Sequence, residues 1–340
     1  MTRIVLSTGN IISGGPCIIR KPGIFRSNLE LTNSLRSNFV AAQEDYPATT
    51  TNGTNGTNGT NGTNGHSHDE YVNGNGNGTS NGTSNGNGVN GYHNAPELPW
   101  TEKEGDVLYV PRIDWTGAGL QEERSQYEIT VKLFFLPEAP VDQRAGYIAE
   151  ALRLVKKELG GVADVDLLIA SFPGISFEGD CEWEADKLNA KMGSDADEVA
   201  TWAALEKLHA QGAIQRLGLA EFGSQKLARF LDQVQTLPAV DQINLKNCCN
   251  VPPPLAQLAK EKGIELLTHG DCTDILPSGT LRELLGPGLQ GAGVLSEDGS
   301  DKNGLQGDLV PQWVVKYTAF VKDRGVIENK GYFAGAELVA

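Results

Sequence analysis

Ser171 and His269 are the side chains in this sequence whose types fit a hydrolytic site. Each follows a run of apolar residues, VDLLIA before Ser171 and IELLT before His269, that predicts a buried strand. The carboxyl ends of parallel strands meet at one end of a sheet or barrel, where barrel enzymes place their sites. A Ser–His hydrolase also needs an orienting acid and an oxyanion hole, and the sequence has a signature for neither. The two residues therefore do not by themselves predict a hydrolase.

Cys248 and Cys249 are adjacent thiols on the loop after a predicted strand. One interpretation is redox sensing or a mixed disulfide with another chain, and the other is that two small, soft side chains pack in the fold. The two cysteines do not readily bridge each other, because the trans peptide between them holds their side chains apart. A zinc site would need further ligands at close spacing, which the sequence does not supply. The pattern favours the packing interpretation, and an intermolecular disulfide remains the alternative.

The centre of the sequence alternates helices and strands, which would position these side chains. Apolar residues at three- and four-residue steps after Trp202 predict a helix that ends at Gly212. Ile214–Leu219 then predicts a strand buried on both faces, and a second helix follows with Ser224 as its predicted N-cap. The next strand is Val240–Leu245. Strand, helix and strand at this spacing predict a right-handed crossover within a parallel sheet.

The rest of the sequence supplies further strands and helices in alternation. The predicted strands are Arg3–Ile12, Asp106–Val110, Glu128–Phe135, Val165–Ala170, Ile264–Thr268 and one within Gly325–Phe333, and the predicted helices are Asn28–Ala42, Gln143–Leu159, Leu255–Lys262 and Val310–Lys322. With the central pair this makes eight strands. The pattern predicts an α/β fold, a (β/α)8 TIM barrel, and the alternative is a doubly wound open sheet.

A low-complexity insert divides the predicted barrel. Residues 45–97 are rich in Asn, Gly and Thr, with five exact TNG triplets across 51–65. Such a segment has too little apolar surface to offset the loss of chain entropy, so we predict that it is disordered. We therefore assign residues 1–44 to the first β/α portion of the barrel and residues 98–340 to its remainder, with an acidic, Gly-rich loop at about 286–308.

Composition excludes several classes of function for these 340 residues. The formal charge of -15 and the pI of about 4.8 argue against a nucleic-acid partner or an acidic membrane surface. No apolar run is long enough to span a membrane, and the start of the sequence does not resemble a secretory signal. Five cysteines without a CxxC pair fit a reduced, cytoplasmic protein.

Three segments resemble the aldo-keto reductases, which are (β/α)8 barrels that reduce carbonyls with NADPH. They are the Trp-x-x-Leu-Glu helix at Trp202–Glu206, the RLGLAEF segment Arg216–Phe222, which is followed by Gln242 on the next strand, and ITVKL at Ile129–Leu133. The last of these resembles the strand that carries the active-site lysine of that family. The resemblance implies that this lysine is Lys132.

The sequence departs from the pattern that this reduction needs. In the family a tyrosine, whose pKa is lowered by a Lys–Asp pair, protonates the carbonyl, and a histidine orients it. Here Ser171 stands where the family has the histidine, the segment with the tyrosine is not found, and Glu221 replaces an asparagine that holds the nicotinamide. The expected phosphate-binding motif is also missing. We therefore expect no cofactor, no metal and no catalytic residue.

The family's barrel-mouth positions are then vestigial in this chain, and they are Lys132, Ser171, Glu221, Gln242 and His269. With no tyrosine to activate, Lys132 is expected to pair with Glu221. The alternative is a surviving NADPH-dependent aldo-keto reductase that acts on small carbonyls. A metabolite-binding sensor that uses the barrel mouth remains a third possibility.

A narrower resemblance accounts for these departures. Gln242–Asp271 and Val310–Phe333, with LSTGNI at Leu6–Ile11 and VKLFF at Val131–Phe135, resemble the modifier, or regulatory, subunit of glutamate–cysteine ligase. That resemblance implies a heterodimer with a catalytic subunit that performs the first step of glutathione biosynthesis. The regulatory subunit would improve the use of glutamate and relieve feedback inhibition by glutathione without catalysing ligation.

For the contact with the catalytic subunit we predict the closing helix and the tail of the barrel. The partner-binding residues predicted there are Trp313, Tyr317, Arg324 and Tyr332, together with Cys248 and Cys249. Aromatic side chains at helical spacing anchor many interfaces, but the alternative is that such a stripe is ordinary core.

Overall fold

The computed structural model describes residues 2–13, 27–47, 98–178, 181–244, 250–297 and 304–339. All of them belong to one unit, Met1–Pro47 with Ala95–Ala340. Residues 48–97 of the predicted insert lie outside the described residues, as do Cys248 and Cys249 and residues 298–303 of the predicted acidic loop. None of the described helices is long and apolar enough to cross a membrane.

The described residues contain strands and helices in the alternation that the sequence predicts. The strands are β1 Arg3–Ser7, β2 Glu102–Glu104, β3 Val107–Val110, β4 Tyr127–Phe135, β5 Val165–Ser171, β6 Ile214–Ala220, β7 Val240–Ile243, β8 Glu265–Thr268, β9 Asp308–Val321 and β10 Val326–Val339. The helices are α1 Ser27–Asp45, α2 Arg144–Glu158, α3 Glu182–Asn189, α4 Asp195–Ala210, α5 Ser224–Leu231, α6 Pro253–Lys262 and α7 Thr280–Leu285. The α/β class is therefore confirmed.

One sheet of ten strands contains all of these strands, in the order β2-β3-β1-β10-β9-β4-β5-β6-β7-β8. Strands β4 to β8 are parallel neighbours joined by helices, as expected for a barrel of the aldo-keto reductase type. The closure of the sheet differs from our prediction of eight parallel strands in a ring. An antiparallel hairpin, β9–β10, lies between β1 and β4, and among the described strands β2 and β8 form the two ends of the order.

The predicted helix at Val310–Lys322 is wrong, because this segment is strand β9. Buried residues alternate along its second half, from Val315 to Val321, and Trp313, Tyr317 and Val321 all lie on one face of the sheet. A spacing of four residues fits a strand face as well as a helix face, since four is also a multiple of the two-residue strand period. Strand β9 is held in place by antiparallel pairing with β4 on one side and β10 on the other.

Hydrophobic cores lie on both faces of the sheet in the described part of the chain. On one face, helices α2, α4, α5 and α6 cover β4 to β8, and Trp202 packs edge-on against Phe230 with 5.3 Å between ring centroids. On the other face, α1 and α7 cover β1, β3 and β10 through apolar side chains such as Leu35 and Leu284. The carboxyl ends of β4 to β8 lie side by side because these strands are parallel neighbours.

The predicted helix ends agree closely with the structure. Gly212, with φ of 75°, follows α4 as predicted, because glycine tolerates the left-handed conformation that terminates a helix. Ser224 is not the N-cap of α5 but its first residue, and Gly223 is the cap. The Ser224 hydroxyl instead donates a hydrogen bond of 2.5 Å to Oδ2 of Asp186, which joins α5 to α3.

Candidate functional site

A cleft of about 780 Å³ opens at the carboxyl ends of strands β4, β5, β7 and β8. Its walls are formed by residues that follow these strands, and α1 contributes its second residue. The lining residues are Asn28, Phe135, Pro137, Pro173, Gly174, Ser176, Glu178, Asn244, Gly270, Asp271, Cys272, Thr273, Asp274 and Pro277. This is the end of the parallel strands at which α/β proteins place their sites.

A buried cluster of charges lies behind the wall of the cleft. The Nζ atom of Lys132, on β4, lies 3.0 Å from Oδ2 of Asp271 and donates a hydrogen bond of 3.1 Å to Oε1 of Gln242. The Nζ atom of Lys316, on β9, lies 2.7 Å from the other oxygen, Oδ1, of Asp271. Lys132 and Asp271 are nearly inaccessible to solvent, so their charges must be compensated within the protein.

Burial and charge act in opposite directions on these groups. Burial alone would raise the pKa of the Asp271 carboxyl, but the two ammonium groups beside it hold that pKa well below its usual range. Burial lowers the pKa of the Lys132 ammonium, and its ion pair with Asp271 offsets only part of this effect. Asp271 is therefore a permanent anion at neutral pH and serves as the counter-ion of both lysines.

Glu221 and His269 form a second buried pair beside this cluster. His269 Nδ1 accepts a hydrogen bond of 3.1 Å from the backbone N–H of Asp271, which places the proton of a neutral imidazole on Nε2. That Nε2 atom lies 2.7 Å from Oε1 of Glu221. Our expectation that Lys132 pairs with Glu221 is therefore corrected: Lys132 pairs with Asp271 and Gln242, and Glu221 pairs with His269.

Both ring nitrogens of His269 lie against other groups of the site, and this argues against a hydrolase built from Ser171 and His269. Because Nδ1 contacts the Asp271 backbone and Nε2 contacts Glu221, neither nitrogen accepts a proton from Ser171. Ser171 ends β5 as a buried side chain opposite Phe134. The structure thus brings Lys132, Gln242, Glu221 and His269 into one cluster and leaves Ser171 without a bond to His269.

The backbone of Glu221 adopts an unusual conformation, with φ of 67°. It is the single non-glycine residue with positive φ in the described part of the chain. The Asn189 side chain donates a hydrogen bond of 2.6 Å to the Glu221 carbonyl, and the Glu221 N–H donates one of 2.7 Å to the carbonyl of Gln242. These bonds hold the strained residue so that its carboxylate points at His269.

The hydroxyls of the five buried tyrosines are all engaged away from Lys132. Tyr109 accepts a hydrogen bond from Arg153, and Tyr127, Tyr147, Tyr317 and Tyr332 lie against the carboxylates of Glu328, Glu337, Glu158 and Glu30, respectively. In the described residues, therefore, no tyrosine hydroxyl bonds to the Lys132 ammonium.

The predicted partner-binding residues in the described part of the chain lie in two places, the core of the sheet and the tip of the hairpin. Trp313, Tyr317 and Tyr332 are at most 1% exposed, so they belong to the core, and the prediction that they form a binding surface is wrong. They are buried because β9 and β10 are central strands covered on both faces. Arg324, at the tip of the hairpin, has a half-exposed side chain and pairs with Glu122 and Glu328 at 2.6 and 2.7 Å.

No group of three or more His, Cys, Asp or Glu side chains in the described part of the chain could hold a metal ion. Cys272 contributes a thiol to the cleft wall and donates a hydrogen bond of 3.3 Å to Oδ1 of Asn28. The backbone N–H of Cys272 binds the Ser27 hydroxyl at 2.8 Å, so the loop after β8 is tied to the start of α1. The described contacts of Cys272 thus join the loop after β8 to the first residues of α1.

The sequence analysis missed two members of the charge cluster, Asp271 and Lys316. Asp271 follows β8 closely, at the end of the sheet where the other polar residues meet, and that position was a usable signal. Lys316 was hidden by the incorrect assignment of β9 as a helix. On the strand, Lys316 lies directly opposite Lys132. Together with Lys132 these residues form a connected set of ion pairs around the Asp271 carboxylate.

Comparison with known proteins agrees with the α/β fold. The aldo/keto reductase family model matches residues 111–283. The glutamate–cysteine ligase regulatory subunit of Mus musculus is 27% identical over 216 residues, which are 64% of this chain and 68% of that protein. A putative glutamate–cysteine ligase regulatory subunit of Schizosaccharomyces pombe is 27% identical over 224 residues, or 63% of this chain and 72% of that protein.

Among solved structures, a Bombyx mori aldo-keto reductase in complex with NADP is similar to this chain, with 22% sequence identity and a TM-score of 0.29. The similarity covers 41% of this chain and 39% of that structure, so the chain spans about two fifths of the solved protein.

Proposed function

This chain belongs to the aldo/keto reductase family, and we propose that it is a non-catalytic regulatory subunit of glutamate–cysteine ligase. The observation that carries the proposal is the similarity to regulatory subunits from a mammal and a yeast over about two thirds of this chain and of each relative. The family model, over residues 111–283, includes the parallel strands β4 to β8 and the helices between them.

The geometry of the charge cluster supports a role without catalysis. A reductase of this fold needs a tyrosine hydroxyl beside its lysine to protonate the carbonyl oxygen. Here the Lys132 ammonium is occupied by Asp271 and Gln242, and the buried tyrosines bind other partners. The cluster supports the fold, because its buried charges are compensated only when β4, β8 and β9 are correctly assembled.

The proposed mechanism is a coupling free energy between two subunits. The regulatory subunit would bind more tightly to the form of the catalytic subunit that is competent to use glutamate, and binding would then shift the population toward that form. The same shift would weaken the competing effect of glutathione. By reciprocity, glutamate would tighten the association of the two subunits.

The test mixes the purified chain with the catalytic subunit of glutamate–cysteine ligase from the same organism. Co-elution on a sizing column, and a rate of γ-glutamylcysteine formation that saturates at lower glutamate, are the expected results. Glutathione should inhibit the mixture less than it inhibits the catalytic subunit alone. The absence of a complex together with unchanged kinetics would refute the proposal.

The same assay tests the partner contacts that the sequence predicts. Among the predicted contacts that the structure describes, Arg324 is the one with its side chain on the surface, so R324E should weaken co-elution if the hairpin tip faces the catalytic subunit. R282E is a suitable control, because Arg282 is also a surface arginine with a carboxylate partner but lies on α7. Variants C248S and C249S, with and without reductant, would show whether a disulfide joins the two subunits.

Family membership and the cleft at the carboxyl ends of the strands favour one alternative, an NADPH-dependent reductase of small carbonyls. Such an enzyme should bind NADPH, with quenching of its tryptophan fluorescence, and should reduce a model aldehyde. The regulatory subunit that we propose should do neither and should still alter the glutamate dependence of the ligase.

A further inference from the structure

Strand β8 forms one end of the described sheet and presents a free edge. The N–H of Glu265 donates to the carbonyl of Ala239 at 2.9 Å, and the N–H of His269 donates to the carbonyl of Ile243 at 3.2 Å. Backbone groups alternate in direction along a strand, so those of Leu266 and Thr268 point away from β7. Among the described strands, none lies beside these outward groups.

The side chains of β8 are also incompletely covered. Parallel strands are normally buried on both faces, and β5 and β6 are almost entirely buried over their carboxyl halves. In β8, by contrast, Leu266 packs against the helix-side core and Leu267 against the opposite face, and each is only partly buried. The two leucines are thus partly exposed on both faces of the sheet, next to an edge that no described strand covers.

The two edges of the sheet differ in protection. Strand β2, at the opposite end, has the sequence Glu-Lys-Glu, and charged residues of this kind prevent an edge from pairing with another chain. In β8 the two central residues are leucines, and its first residue, Glu265, is neutralised by Arg216 at 2.9 Å. The edge of β8 therefore has no electrostatic barrier to strand addition.

We propose that this edge binds an extended segment of the catalytic subunit of glutamate–cysteine ligase by strand addition, an inference that rests on the proposed function. The segment would pair its backbone with Leu266 and Thr268 and place apolar side chains beside Leu266 and Leu267. A second copy of this chain is a poorer partner, because the net charge of -15 opposes self-association. The Asn- and Gly-rich residues 49–94 are poorly suited to strand pairing.

The test compares variants T268P and T268A with the wild-type chain. Proline removes the outward N–H of Thr268 without breaking a bond to β7, and such positions on edge strands tolerate proline. Alanine removes the same side chain but keeps the N–H. T268P should bind the catalytic subunit at least about tenfold more weakly than T268A, which corresponds to about 1.4 kcal/mol or more.

Hydrogen exchange of the wild-type chain gives a second measurement that does not depend on the folding of T268P. The amides of Leu266 and Thr268 should exchange rapidly in the free chain and slowly in the complex. Equal binding of T268P and T268A would overturn the proposal. Slow exchange in the free chain would also overturn it, because the edge would then be covered by this chain or by a second copy. If the wild-type chain binds no catalytic subunit, the proposed function itself fails.

Discussion

Lys132 and Lys316 face each other as register partners on the antiparallel strands β4 and β9, and both bind the carboxylate of Asp271. Like charges directly opposite each other destabilise a strand pair unless an anion lies between them. Asp271 comes from the loop after β8, four strands away from β4 in the sheet order. One carboxylate therefore ties the hairpin to the far end of the parallel strands.

Replacing Asp271 with asparagine should destabilise the fold. The D271N variant keeps the shape of the side chain but leaves the buried ammonium group of Lys132 and the partly buried one of Lys316 without a counter-ion. Removing one member of a buried ion pair typically costs about 3 to 5 kcal/mol. Denaturant unfolding should show a loss of this order.

Variant D274N is the matched control for this experiment. Asp274 also lines the cleft, but its side chain is exposed, so removal of its charge should change the unfolding free energy little. If the two variants were equally stable, the Asp271 bridge would contribute nothing to the fold.

Glu158 should make the stability of the protein depend on pH. Burial at the end of α2 raises the pKa of the Glu158 carboxyl to about 7, although a hydrogen bond from the Tyr317 hydroxyl lowers it in part. The folded-state pKa lies above the unfolded value of about 4.5, so the folded state holds the proton more tightly. Stability is therefore lost as the pH rises from about 4.5 through 7.

Variant E158Q should remove this dependence, since glutamine carries no charge at any pH. Relative to wild type, its unfolding free energy should rise between pH 5 and pH 8 by about 2.5 kcal/mol, which is most of the energy that corresponds to the pKa difference. The exposed residue Glu283 provides a control, because E283Q should leave the pH profile unchanged. A profile for E158Q that parallels the wild type would show that Glu158 is ionised in the folded protein.

The parallel strands and β10 could be predicted from the sequence, whereas the strand character of β9 could not. Strands β5 and β6 are apolar runs bounded by turns, a pattern that fits a buried parallel strand. In β9, Trp313 and Tyr317 stand four residues apart, and this spacing fits both a helix and a strand. Only the pairing with β4 and β10 decides between them, and such long-range pairing has no local signature.

The candidate site, like the sheet, could be predicted only in part. Lys132 and Gln242 lie on the predicted strands β4 and β7, and the parallel sheet brings their side chains to within 3.1 Å of each other. Their partners could not be assigned, because Asp271 lies on a loop whose path is fixed by tertiary contacts such as the bond from Cys272 N–H to Ser27. The strained conformation of Glu221 likewise has no signal in its residue type.

Close packing within the hairpin predicts that Gly335 cannot accept a side chain. Gly335 lies opposite Trp313 on the neighbouring strand, and a Cβ atom there would overlap the indole ring. Because that ring is buried and cannot move aside, G335A should destabilise the protein by about 1 to 3 kcal/mol in thermal or denaturant unfolding. G146A, in open space on α2, should instead stabilise it slightly. Equal stability of the two variants would argue against this packing.

Backbone strain at Glu221 can be separated from the loss of its carboxylate by comparing E221A with E221G. Both variants remove the contact with His269. Only alanine is strained at this position, because the left-handed φ of 67° costs a non-glycine residue about 1 to 2 kcal/mol. Glycine adopts this φ freely but loses more entropy on folding, so E221G should be the more stable by up to about 1 kcal/mol.

At Gln215, an exposed position of β6 without positive φ, the order should reverse, with Q215A more stable than Q215G. If alanine were also the more stable at position 221, the backbone there would not be strained. The Glu221 carboxylate would then be positioned beside His269 without backbone strain at this residue, which directly follows β6.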